Sequence, residues 1–172
     1  VQIRGSVREL FLKNAQIRSR VKKGKQEEGI KFKDYFDWTE IACKAPSHRI
    51  LAMLRGQKES ILTMHILPGE ETALFLIEKL YIKNQSRSAL EVKKAIKDSY
   101  KRLLSKSIEK EYIHQLKSTA DETAISIFAG NLKELLLSAP MGQKKILAID
   151  PGFRTGCKVV CLDAQGQLVH HD

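Results

Sequence analysis

Cysteine is scarce in this sequence. Cys43, Cys157 and Cys161 are odd in number and contain no C-x-x-C pair, which argues against a disulfide framework or a cysteine-built zinc site and favours a reduced, cytoplasmic protein. Cys157 and Cys161, four apart on an expected strand, share one face and are expected to be small buried side chains. Also missing are an apolar run of about 18 residues and a signal-peptide layout, so no membrane partner is expected. The acids of the long C-terminal helical segment lack the repeated E-x-x-H spacing of a carboxylate metal bundle. His65 has no second ligand at metal spacing. Neither a metal nor a cofactor is expected. The initiator methionine is absent and Asp172 closes a strand, so the chain reads as the excised middle of a larger protein.

What the sequence has in excess is positive charge, +10 in 172 residues. It is uneven: residues 1–60 hold 14 Lys/Arg against 7 Asp/Glu, and residues 61–172 hold 16 against 13. Between Glu9 and Glu27 there is no acid, while Lys13, Arg18, Arg20, Lys22, Lys23 and Lys25 are all basic. A surface of this kind attracts phosphate backbones by releasing their condensed counterions, without reading sequence. Arg18, Arg20, Lys22, Lys23 and Lys25, joined by Arg49 and Arg55 on a later helix, are the candidate nucleic-acid contacts. The alternative is a solvated basic face, or one paired with acidic segments elsewhere.

The apolar periodicity gives a mainly α protein. Val7, Leu10 and Phe11 mark a first helix that ends near Asn14. "QIRSRVKKGK" fits an extended segment or another helical turn. "KFKDYFDWTE" concentrates four of the eleven aromatics; they could stack on bases, but with Asp34 and Asp37 interleaved a compact turn anchored to the core is the stronger reading. Ser47 is the expected N-cap of a helix carrying Ile50, Leu51, Met53 and Leu54, with Gly56 as its stop. "SILTMHIL" alternates as a short strand near 61–67. Helices follow from Glu70, the last of them capped by Ser107 and running about 48 Å to Ala139. Along it Ile113, Leu116, Ala120, Ala124, Ile127, Phe128, Leu135 and Leu136 form one face, and Gly130 offers a kink or a close helix contact. A domain boundary is expected near Met141, dividing a helical region at 1–140 from a β segment at 141–172.

The β segment reads as strand, turn, strand, turn, strand: "KILAID", "PGFRTG", "CKVVCLD", "AQG", "QLVHH". This is how ribonuclease H-like folds open, and also the actin and sugar-kinase superfamily. Three roles stay open for Asp150: a divalent-metal ligand, a neighbour of a phosphate cradle made by turn N–H groups, or a cap of its own turn. Asp163 sits at the opposite end of the hairpin from Asp150.

"ILAIDPGFRTGCKVVCLDAQGQLV" resembles the start of the RNase H-like, YqgF-type domain of the Tex family of bacterial transcription accessory proteins. "IRSRVKKGKQEEGIKFKDYFDW", "PSHRILAMLRGQKE", "EVKKAIKDSYKRLL" and "SIEKEY" resemble the Tex segment just before it. The resemblance implies the later part of a helical region, a long central helix and the first strands of an RNase H-like α/β domain. In that family helix-hairpin-helix modules and an OB-fold RNA-binding domain come after it. It implies a nucleic-acid-associated scaffold that is non-enzymatic in this segment. A metal-dependent nuclease with Asp150 as one ligand is the alternative. Another is a platform for the transcription machinery that uses the long helix and the aromatic loop Phe32–Trp38.

Overall fold

The computed structural model describes residues 2–152 and 156–172. The chain divides into two compact units, residues 1–129 and 130–172.

The first unit begins with helix α1 (Gln2–Asn14), whose Val7, Leu10 and Phe11 are buried as their spacing predicts. The ambiguous segment after it is strand β1 (Gln16–Val21). Ile17 and Ser19 face the core while Gln16, Arg18 and Arg20 face out. The aromatic segment is a 3₁₀ turn (Ile30–Tyr35) leading into strand β2 (Asp37–Ile41). Its rings turn inward, as the compact-turn reading expects: Phe32 is buried, and Tyr35 and Trp38 pack on the core.

Helix α2 (Ser47–Lys58) corrects two expectations. Its N-cap is Pro46, with Ser47 already the first helical residue and making no capping bond. Nor does Gly56 stop the helix. It is buried where a Cβ would lie 2.5 Å from Leu62 Cδ1, so a missing side chain lets α2 close on strand β3 (Leu62–Leu67). Leu62, Met64 and Ile66 are buried and His65 and Leu67 exposed, the alternation read from sequence. The three strands form an antiparallel sheet in the order β2-β1-β3. Its inner face joins α1 and α2 around Ile17, Ile50, Met53, Met64 and Ile66.

Helices α3 (Glu70–Tyr81) and α4 (Arg87–Ser99) follow. A π turn (Tyr100–Leu104) joins α4 to α5 (Ser105–Leu136) without a break. Ser107 is therefore interior to a helix and not its cap: Tyr100, Ser105 and Ile108 are buried through the junction, and backbone helicity continues through it. Side chains at Arg4, Arg8 and Phe11 dock α1 on α5. Arg4 Nη2 donates to Ser107 Oγ at 3.0 Å, Arg8 grips Glu111 through two bonds of 2.6 and 3.1 Å, and Phe11 meets Tyr112 edge-on at 6.5 Å. The first two rungs advance by one turn on both helices, so α1 and α5 run in the same direction. The expected continuous apolar face of α5 is buried only in part. Ile113, Leu116 and Ala120 pack on the core, whereas Ile127, Phe128, Leu135 and Leu136 are exposed. At Gly130 an added Cβ would meet open space, and the helix continues through the position.

In the second unit β4 (Ile146–Gly152), β5 (Gly156–Leu162) and β6 (Leu168–His171) form an antiparallel sheet in chain order. The three strands match the sequence reading. The turn residues 153–155 lie outside the described residues. Cys157 is exposed and Cys161 half-buried, against the expectation of two buried thiols: this face of β5 is half-covered at Val159 and Cys161 and open at Cys157.

Candidate nucleic-acid interface

Strand β1 is central, so its outward residues sit between two neighbours. Arg18 lies between Thr39 and His65, and Arg20 between Asp37 and Thr63. Gln16, Arg18 and Arg20 form the middle row of an open face that is polar except at one end, where Gln16 lies between Ile41 and Leu67. Among the described residues His65 is the only ring on it, because Trp38 has the opposite parity and faces inward. Lys22 continues the even-numbered row, and its N–H donates to Ile61 O at 2.8 Å. The turn beyond it reverses at Gly24, whose φ of +78° suits glycine, and closes with Lys25 N–H on Lys22 O at 3.1 Å. Lys22 and Lys23 are exposed on that turn.

The seven predicted cations thus fall into three environments. Arg18, Lys22 and Lys23 are exposed and share one row and its turn; among the described residues Arg18 Nη2 has only a long 3.5 Å bond to Gln16 Oε1. Arg20 is paired with Asp37 and Lys25 with Glu28. Arg49 and Arg55 are on α2. Arg55 shares Glu59 with Lys31, at 3.8 and 2.6 Å. Arg49 is enclosed: its guanidinium lies 4.9 Å from the Trp38 ring centre and binds Glu40 at 2.8 Å. Glu40, only 15% exposed in its side chain, also accepts from Trp38 Nε1 at 2.8 Å. That arrangement braces α2 against β2.

The open face connects to the helices through one acid. Glu109 of α5, 14% exposed in its side chain, lies 3.2 Å from His65 Nδ1 and accepts the Ile66 N–H at 2.8 Å. Next to it, burial pushes the Tyr100 hydroxyl up to about 12, assisted by the negative charges of Glu70 and Glu109. Between α1 and α5, the hydrogen bond from Arg8 holds the Glu111 carboxyl below its ordinary range.

Asp150 lies on β4 in register with Lys158 and is exposed. Among the described residues no group of three or more His, Cys, Asp and Glu is gathered as a metal site. The turn-capping geometry considered for Asp150 is present at Asp163, whose Oδ1 accepts from Gln165 N at 2.9 Å and Gln167 N at 2.8 Å. Among the described residues no helix is long and apolar enough to cross a membrane.

Residues 1–128 match the family model "Tex central region-like", and residues 144–172 match "Tex protein YqgF-like domain". This chain belongs to the Tex family. It is 40% identical to YdcI of Bacillus subtilis over 168 residues, and 36% identical to the transcriptional accessory protein Tex of Neisseria gonorrhoeae over 171 residues. Each alignment covers 96% of this chain and 23% of the relative. A human relative, S1 RNA-binding domain-containing protein 1, is 30% identical over 133 residues, 73% of this chain and 13% of that protein. This Tex segment therefore spans about a quarter of its bacterial relatives.

Proposed function

We propose that this Tex segment is a cytoplasmic nucleic-acid-associated scaffold that contacts the sugar–phosphate backbone without reading sequence. The observation that carries the proposal is the open face of the first sheet, where Arg18 and Lys22 stand in one row with Lys23 on its turn. Among the described residues the face carries no Phe, Tyr or Trp on which unpaired bases would stack, and His65 is its single ring. Its charge suits phosphate contacts, which position a protein but do not specify sequence. The names of two relatives, a transcriptional accessory protein and an S1 RNA-binding domain-containing protein, support the same ligand class. Contact with the transcription machinery is a proposal for the whole protein, on the strength of the first name.

Fluorescence anisotropy of the chain with single-stranded RNA and duplex DNA, at low and near-physiological salt, tests the proposal. Binding should fall steeply with salt and be indifferent to sequence. Changing Arg18, Lys22 and Lys23 to Gln should weaken it on every sequence tested; unchanged affinity and salt slope would remove this face from the site. We further propose that the segment acts by binding and not by catalysis. Loss of a Mg²⁺- or Mn²⁺-dependent cleavage by the full-length protein on Asp150→Asn would reverse that.

A further inference from the structure

Helix α4, with four Lys or Arg and two acids of its own, lies within a basic stretch separate from the open sheet. Residues 79–106 contain nine Lys or Arg but only two acids, Glu91 and Asp98. Within α4, Arg87, Leu90, Lys94 and Lys97 stand at i, i+3, i+7 and i+10. That spacing sets them along one side of the helix over about 15 Å. All four are exposed, and together with Glu91 and Lys93 they line a shallow hollow. The core-facing residues of this stretch are Ile96 and, just beyond, Tyr100, so packing does not require the cationic side.

Cations at this spacing oppose helix formation. Lys93 and Lys97 are four apart and Lys94 and Lys97 three apart, separations at which like charges repel on a helix surface. Relief is partial: Lys94 pairs with Glu91 at 2.8 Å and Lys93 reaches Glu78 of α3 at 3.0 Å. Among the described residues Arg87 and Lys97 have no ion-pair partner. A self-repelling row that the core does not need is stabilised when an anion lies along it.

We propose that this side of α4 is a second anion-binding surface that takes the sugar–phosphate backbone of a nucleic acid along the helix axis. A protein partner would need a buried anchor with a pocket to receive it, and the row offers one exposed leucine; a phosphate backbone needs only the spaced charges. The proposal takes its ligand class from the function proposed above but none of its residues.

The test is a salt titration of the binding of a short duplex DNA to the chain, with two triple variants measured side by side. Arg87→Gln, Lys94→Gln and Lys97→Gln together should lower the slope of log affinity against log salt by about two to three, close to 0.9 for each phosphate no longer neutralised. Arg18→Gln, Lys22→Gln and Lys23→Gln report on the sheet. A changed slope in the α4 variant supports the proposal whatever the sheet variant does. An unchanged slope there with a changed slope in the sheet variant overturns it and leaves the sheet site standing. No binding by the unaltered chain at low salt overturns both. Poly-glutamate that competes as well as the duplex at equal charge would make the partner an acidic protein and overturn the assignment to nucleic acid. Circular dichroism of the α4 variant should show no loss of helix, since it removes a repulsive row.

Discussion

In the first sheet Ile17, Met64 and Ile66 are buried against helices while Arg18, Arg20 and His65 face water; in the last sheet Ile146, Leu147, Ala148 and Ile149 run consecutively. Four apolar residues in succession put two on each face, the pattern of a strand to be covered on both sides. Within this chain Leu147 is 63% and Ile149 58% exposed. The two sheets have the same strand number and the same antiparallel pairing. They differ in what covers them. Hydrogen-bonded register follows from local alternation and turns, whereas a sheet's stability comes from the face it buries.

The sharpest way to break this comparison is a pair of truncations. Phe11→Ala, under the covered sheet and against Tyr112, should destabilise the first unit by about 3–5 kcal/mol, read by urea unfolding. Ile149→Ala removes an exposed side chain and should change stability by less than about 0.5 kcal/mol; a loss comparable to that of Phe11→Ala would show that the last sheet is covered after all. The glycines divide in the same way. Gly56→Ala drives a methyl into Leu62 and should cost about 1–3 kcal/mol. Gly130→Ala, in open space on a helix, should stabilise that helix by about 1 kcal/mol. Equal shifts in melting temperature for the two would contradict the packing described for α2 and β3.

Arg49→Ala should cost about 1–3 kcal/mol, because Glu40 keeps its burial and loses a partner. The salt slope of nucleic-acid binding should not change. A reduced slope would move Arg49 out of the brace and into the interface.

A further effect is one of pH, confined to the extremes of the stability profile. Tyr100 has its folded-state pKa raised from 10.0 to about 12. Its contribution is then fully present below pH 10 and is lost as pH rises through about 12, because the unfolded chain ionises first. Tyr100→Phe should flatten the alkaline end of the stability profile over that window. Glu111 acts at the other end, where its depressed carboxyl gives stability that is lost as pH falls through the depressed value. Arg8→Met should remove that acid dependence.

Much of the fold was legible because its signals are local. The stripes of α1 and α2, the alternation of β3 and the three strands after Lys144 all follow from spacing. Strand β1 stayed ambiguous because Ile17 and Val21 are four apart, a separation that suits both a helix and a strand. Strand β2 was hidden by Trp38 and the aromatic turn before it, whose inward packing depends on residues distant in sequence. The π turn left no signal, and Ser107 resembled a cap only because nothing local shows Tyr100 and Ile108 buried in succession. The candidate site was legible as charge but not as geometry. Seven cations could be named, yet only the fold shows that Arg49 is held by Glu40 and that Arg18 and Lys22 share a row. The stripe on α4 was missed for another reason: a net charge taken over residues 61–172 dilutes the excess held by 79–106.

The bond from Ile66 N–H to Glu109 also acts on the rim of the first sheet. β3 is an outermost strand, and the amide that Glu109 occupies points away from β1. An incoming strand would need that amide and would have to expel a partly buried carboxylate to reach it. A helix more than forty residues downstream thus guards the sheet against self-association along β3, and the chain must form α5 before that guard is in place.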